Sequence, residues 1–271
     1  MLTLFVLALS GFGAGVLNAV AGGGTFLSFP ALVWAGVPPI MANATATFAA
    51  MPGYIGSAWA YRDHISGNAR ADLKRILAVT VVGGFLGAVL LLITPQDLFS
   101  GVVPWLLLLA TLAFALGPIV VRQLSRSGKS VTGPVALGLL LAVCIYGGYF
   151  NGGLGIILLA AFGLIGMTDL HQMNGLKNLV SAVLSVVSVL TYAAAGLIDW
   201  PSLFIVGLSC ALGGYVGALC AKRIRRVGLL RAFIVTVGVA MTALFFLQNL
   251  QTIKPISINE HKHSVFHKTY F

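Results

Sequence analysis

Carboxylates are scarce in this chain: six Asp and Glu stand among 271 residues, and charged residues make up 8% of the total. Asp63, Asp72, Asp97, Asp169, Asp199 and Glu260 fall in loops, near segment ends or in the tail, so no carboxylate proton relay is expected at mid-membrane. Cysteine is scarcer still. Cys144, Cys210 and Cys220 sit singly inside apolar runs at no metal-ligand spacing, which fits small buried hydrophobes and implies no disulfide framework. His64 and His171 stand at segment ends, and His261, His263 and His267 in a polar tail. Without a nucleophile, a metal cluster or a carboxylate pair, the chain does not read as an enzyme, and no metal or cofactor is expected.

The same lack of charge excludes an ordinary soluble domain, where about a quarter of residues are charged. Hydrophobic residues make up 59% of the chain. They come in runs of about 17 to 25 residues, separated by short charged or Gly/Pro-rich connections, the pattern of an all-α multi-span membrane protein. The net charge of +10 is confined to clusters: Arg62, Arg70, Lys74 and Arg75; then Arg122, Arg126 and Lys129; then Lys222, Arg223, Arg225, Arg226 and Arg231; and tail lysines. Such clusters mark cytoplasmic loops, so nucleic acid is not expected as a partner. The first twenty residues end at Ala-Val-Ala but have no basic n-region, and they are expected to be retained.

GGFLGA (Gly83 to Ala88) returns as GGYVGA (Gly213 to Ala218), 130 residues later. A shift of 130 or 131 also lays Gly22 and Gly24 on Gly153 and Gly155, Asn43 on Asn174, and Thr47 on Asn178. The chain therefore reads as a duplicated unit: a first transmembrane repeat over 1–121, a cytoplasmic linker over 122–130, a second repeat over 131–250, and a polar tail, expected to be disordered, over 251–271. Each repeat is a broken first segment followed by three continuous ones, at about 2–36, 39–60, 73–93 and 99–121, then 131–166, 172–196, 201–221 and 229–249. Only 12 residues separate Gly24 from Gly36, about 18 Å of helix and too short to cross ~30 Å of hydrocarbon. Keeping the basic loops on one side requires each broken segment to be a helical hairpin, with the second bend near Asn151 to Gly153. Each half then has an odd number of crossings, and the two repeats are inverted.

Broken helices carry chemistry in a membrane. Non-helical backbone survives there only where protein or a water-filled cavity satisfies it, and matching breaks in two repeats point to a binding site. Gly23, Gly24 and Thr25 open one short helix and Asn151 to Gly153 open its counterpart; helix N-termini carry about half a positive charge, which favours an anion. Asn43, Thr45 and Thr47 follow at i, i+2 and i+4, and Asn174, Lys177 and Asn178 at i, i+3 and i+4, placing Asn43 with Thr47, and the second trio together, on single helical faces. Lys177 is the lone Lys or Arg outside loops and tail; its insertion costs ~2.5 to 3.5 kcal/mol at mid-bilayer, which makes it a functional candidate. The glycines of GGFLGA and GGYVGA suit close helix packing.

AGVLNAVAGGGTFLSFPALVWAGVPPIMANATAT in the first half, GGYFNGGLGIILLAAFGLIGMTDLHQMNGLKNL in the second and AGLIDW resemble the TauE/SafE family of sulfite and organosulfonate exporters. The resemblance implies a multi-pass inner-membrane permease for small sulfur-containing anions such as sulfite, sulfoacetate or related sulfonates. It implies ligand contact at Gly23, Gly24, Asn43, Thr45, Gly153, Asn174, Lys177 and Asn178; the residue pattern adds Thr47 and Asn151. The expected partners are a small anionic substrate and the lipid bilayer, with homo-oligomerisation left open. The expected mechanism is outward transport by alternating access. An anion channel and a non-transporting scaffold or assembly factor are the competing readings.

Overall fold

The structure, a computed structural model, describes residues 1–20, 23–65, 70–127, 131–221 and 227–253. Every regular element among them is helical. In the first half these are α1 (Leu2–Val20), α2 (Thr25–Trp34), α3 (Pro39–Ala60), the single turn α4 (Arg62–Ile65), α5 (Arg70–Ile93) and α6 (Gln96–Ser127). In the second they are α7 (Gly133–Tyr149), α8 (Leu154–Leu164), α9 (Leu170–Ala194), α10 (Trp200–Ala221) and α11 (Val227–Ile253). The expectations placed on Gly22, on Lys129, on the basic run Lys222 to Arg226 and on the tail beyond Ile253 lie outside the described residues.

Among the described residues, five helices contain stretches long and apolar enough to cross a membrane: Leu2–Ala19, Leu73–Ile93, Gln96–Gly117, His171–Ala194 and Trp200–Gly217. The 22 residues of α3 would also reach, at about 33 Å, but Asn43, Thr45 and Thr47 dilute its apolar character. The burial pattern inverts that of a soluble protein. Phe85, Leu109, Leu116, Leu208 and Leu212 are exposed, whereas Asn43, Thr45, Thr47, Asn151, Ser181, Ser185 and Ser188 are buried. Lipid takes the place of water around such a surface, so apolar side chains cost nothing outside and polar ones must find partners inside.

Both broken segments fold back on themselves. The chain leaves α1 at Val20 and re-enters helix at Thr25; it leaves α7 at Tyr149 and re-enters at Leu154. The N–H of Val131, ahead of α7, donates to the carbonyl of Leu164 at the end of α8 at 2.8 Å, so the two ends of that hairpin are side by side. In the first hairpin a Cβ on Gly13 would meet Leu27, and one on Gly24 would meet the Ala14 carbonyl. Helices α2 and α8 stop in the same way: Val37 N–H bonds back to Leu32 and Met167 N–H to Phe162, around Gly36 at φ 92° and Gly166 at φ 95°. This is the Schellman closure of a helix C-terminus.

The halves are interleaved. Helix α1 packs on α10 while α7 packs on α5; α3 packs on α10 while α9 packs on α5; α2 touches α11 while α8 touches α6; and α3–α9 and α6–α11 meet directly. Exchanging the two halves leaves that set of pairs unchanged. The repeated glycine strings make the swapped contacts. A Cβ on Gly87 of α5 would stand 2.2 Å from the Ile145 carbonyl of α7, and one on Gly217 of α10 would stand 2.8 Å from Cα of Val16 in α1. Backbones that approach this closely leave no room for a side chain, the small-xxx-small packing of membrane helices.

Candidate functional site

The middle of α6 is where the two breaks come together. Gly23, at φ 91°, lies against the ring of Phe114, which a Cβ would approach to 2.4 Å; Gly153, at φ 73°, lies against Ala110, with a Cβ contact of 2.9 Å. Ala110 and Phe114 are one helical turn apart, about 6 Å. At both positions glycine is required twice over, by a left-handed backbone that L side chains avoid and by the lack of space. Aromatic rings close the region: Phe26 of α2 packs edge-on against Phe114 at 5.5 Å, and Phe29 of α2 packs against Phe150 of the second break at 5.7 Å.

The polar residues hold the breaks in different ways. At the first, the Gly24 N–H donates to Asn18 Oδ1 at 2.7 Å, so a side chain of α1 takes up a backbone donor at the start of α2. At the second, the Tyr146 hydroxyl donates to the Gly152 carbonyl at 2.6 Å and the Tyr192 hydroxyl of α9 donates to the Gly148 carbonyl. No side chain caps α8; the Leu154 N–H turns to the Asn151 carbonyl at 3.4 Å. Asn18, Tyr146 and Tyr192 are not among the residues the sequence singles out. An asparagine in an otherwise apolar run, three residues ahead of Ala21, was the available signal for the first; the tyrosines carry none.

Each residue expected at the site has a definite place. Asn43, fully buried, donates from Nδ2 to the Tyr149 carbonyl at 2.9 Å. It ties α3 to the end of α7, beside the second break. Asn151 is buried within that break, and neither atom of its amide has a partner among the described residues; Asn43 Oδ1 and Thr25 Oγ1 are also unpartnered. Lys177 donates to Asn174 Oδ1 at 3.2 Å. Its stem runs along the first turn of α8, 3.4 Å from where a Gly155 Cβ would be, and no carboxylate pairs with its ammonium among the described residues. Asn178 is buried one turn after Asn174. Two hydroxyls are engaged elsewhere: Thr45 Oγ1 accepts the N–H of Asp199 at 3.0 Å, and Thr47 Oγ1 donates to the Asn43 carbonyl at 2.8 Å. The structure thus brings Asn43, Asn151 and Gly153 together at the second break, sets Lys177 and Asn174 along the helix that follows it, and uses Thr45 and Thr47 to hold backbone.

A cavity of about 700 Å³ lies elsewhere. It opens at the base of the second hairpin, lined by Leu140, Phe162 and Met167, with Arg75 and Gln172, and it reaches Leu176, the neighbour of Lys177. Among the described residues, no three His, Cys, Asp or Glu side chains come together as a metal site.

The family profile described as sulfite exporter TauE/SafE matches residues 7–245. A probable membrane transporter protein of Sinorhizobium sp., ORF9, is 30% identical over 249 residues, covering 88% of this chain and 89% of the relative. A probable membrane transporter protein of Haemophilus influenzae is 30% identical over 251 residues, covering 89% and 93%. The probable membrane transporter protein YfcA of Escherichia coli K12 is 29% identical over 233 residues, covering 85% and 84%. No solved structure matches the chain.

Proposed function

We propose, from the premise that the chain belongs to the sulfite exporter TauE/SafE family, that this multi-pass membrane transporter carries small sulfur-containing anions such as sulfite, sulfoacetate or related sulfonates out across the inner membrane. The observation that carries the reading is the convergence of both helix breaks on one turn of α6, with a helix N-terminus that no side chain caps and a lysine lying along its first turn. Positive potential from the α8 dipole and from Lys177 falls on the same few ångströms of chain. Gly23, Gly24 and Gly153 let the two breaks pack closely on α6 and α1; Asn43, Asn151, Asn174 and Asn178 surround the anion with amides; Thr45 and Thr47 keep α3 in register.

Transport follows from the two-fold exchange of packing. Inverted repeats, each holding one break, rock against each other so that the anion faces first one side and then the other. The cavity that reaches Leu176 supplies the approach from the side of Arg75. An inside-negative potential drives each negative charge outward by ~2.3 kcal/mol per 100 mV, so efflux needs no coupling ion.

Lys177→Met tests the site. The variant is expected to fold with its thermal stability near wild type and to lose anion affinity; an unchanged affinity removes Lys177 from the site. Right-side-out vesicles with a negative interior test the direction. Accumulation of sulfite against its gradient with no second ion present contradicts export, and uptake without stimulation by substrate on the opposite face favours a channel over a carrier.

A further inference from the structure

Six buried side-chain polar atoms lack a hydrogen-bond partner among the described residues. Five belong to four residues: Asn43 Oδ1, which neighbours the second break, both amide atoms of Asn151 within it, and the hydroxyls of Ser181 and Ser185 on α9. The sixth is the hydroxyl of Thr25 at the first break; buried threonines within the helices are otherwise satisfied. Thr47, Thr80, Thr111 and Thr242 each donate to the carbonyl four residues back, the bond that any helix offers to Ser and Thr. Ser181 and Ser185 do not take it, although they are 1% and 0% exposed. An unpaired hydroxyl in that setting costs stability, and two of them stand one turn apart on the helix that carries Lys177.

Contacts on either side fix the direction in which they face. Before them, the Lys177 stem lies on α8 at Gly155; between and after them, Leu184 touches Gly147 of α7 and Gly84 of α5, Ser188 donates to the Gly84 carbonyl at 3.4 Å and Tyr192 donates to the Gly148 carbonyl. Positions 181 and 185 follow Lys177 at i+4 and i+8, on the same helical stripe. The chain from Gly148 to Gly155 therefore passes α9 between Tyr192 and Lys177. Asn151 lies on that passage, and positions 181 and 185 lie on the stretch of α9 that it passes.

We infer that Ser181 and Ser185 donate their hydroxyls to the transported anion and that the site takes an oxyanion in preference to a halide. The inference rests on the anion-transport reading given above. Two hydroxyls and the Asn151 amide N–H group offer donors from different directions, which several oxygens on one centre can accept separately. The two amide oxygens favour an anion that also carries a donor, as hydrogen sulfite does; a halide would leave both unpaired. Lys177 contributes charge from the edge.

The test uses the full chain in detergent with sodium sulfite and sodium bromide as probes, read by thermal unfolding and by calorimetric titration. Sulfite is expected to raise the melting temperature of the wild type more than bromide does. Ser181→Ala and Ser185→Ala are each expected to melt, without anion, at or above the wild-type temperature, because the deleted groups have no protein partner. Each is expected to bind sulfite about tenfold or more weakly, the effect of one hydrogen bond to a charged group, and Ser181→Thr, which keeps the hydroxyl, to retain most of the affinity. Wild-type sulfite affinity in both alanine variants overturns the assignment while leaving the transport reading intact; so does a lower melting temperature without anion, which would make the hydroxyls structural. A wild type that responds to neither sulfite, sulfonates nor bromide overturns the transport reading as well.

Discussion

The side-chain amide of Asn43 donates to the main-chain carbonyl of Tyr149 across 106 positions of sequence, so a helix of one half holds the last turn of the helix that opens the other. A buried carbonyl at a helix end needs such a partner, and in a membrane water does not supply it. Asn43→Ala is expected to lower the stability of the anion-free protein by about 1–3 kcal/mol. This is the opposite of the outcome expected for Ser181→Ala, and parallel melts in detergent compare the two directly. Equal behaviour of the two variants would show that the bond to Tyr149 carries no weight.

Gly153 tests the break itself. Its φ of 73° and the 2.9 Å approach of a Cβ to Ala110 make two separate objections to Gly153→Ala, together worth about 2–4 kcal/mol. Adding Ala110→Gly removes the nearest steric contact, leaving Cα of residue 110 at 3.1 Å, and leaves the conformational objection whole. The double variant is expected to recover part of the melting temperature, and full recovery would mean that the left-handed backbone is not needed.

The helix-packing glycines give a prediction with a change of sign. Gly87→Ala places a methyl 2.2 Å from a carbonyl of α7, whereas Gly101→Ala in α6 places one in open space. The first is expected to destabilise by about 1–3 kcal/mol through overpacking; the second is expected to stabilise by up to about 1 kcal/mol through helix propensity. Fluorescence-detected size exclusion after graded heating reads both.

Inversion of the halves is open to chemical labelling. Arg223→Cys is expected to react with a membrane-impermeant thiol reagent only after the cytoplasmic face is exposed, and Pro95→Cys, in the turn between α5 and α6, only from outside. The buried Cys144 and Cys210 should stay silent. Reaction of Arg223→Cys in intact cells would end the antiparallel arrangement.

Much of the scaffold is legible in the sequence because membrane helices are written in runs of apolar residues that glycine, proline and charge interrupt. The span expected over 39–60 is α3 to the residue, and the bend expected at Asn151 to Gly153 falls in the gap between Tyr149 and Leu154. Helix α6, by contrast, continues to Ser127, past the end expected at 121, because Arg122, Gln123 and the residues after them sustain a helix as well as they sustain a loop. Pairings at long range were out of reach. Nothing near Thr45 announces that its hydroxyl accepts from Asp199, 154 positions away, and the same chemistry that makes a threonine look like a ligand makes it a good brace. Ser181 and Ser185 carry no signal in sequence because serine is common in membrane helices; what sets them apart is a hydroxyl without a partner among the described residues.

Ala110 and Phe114 give the molecule a single fulcrum. Gly23 leans on one and Gly153 on the other, each at less than a methyl group's clearance, so both tips rest on one face of α6. On the transport reading proposed above, a guest that displaced one hinge would be felt at its twin through this shared turn, gearing the two halves of the cycle together.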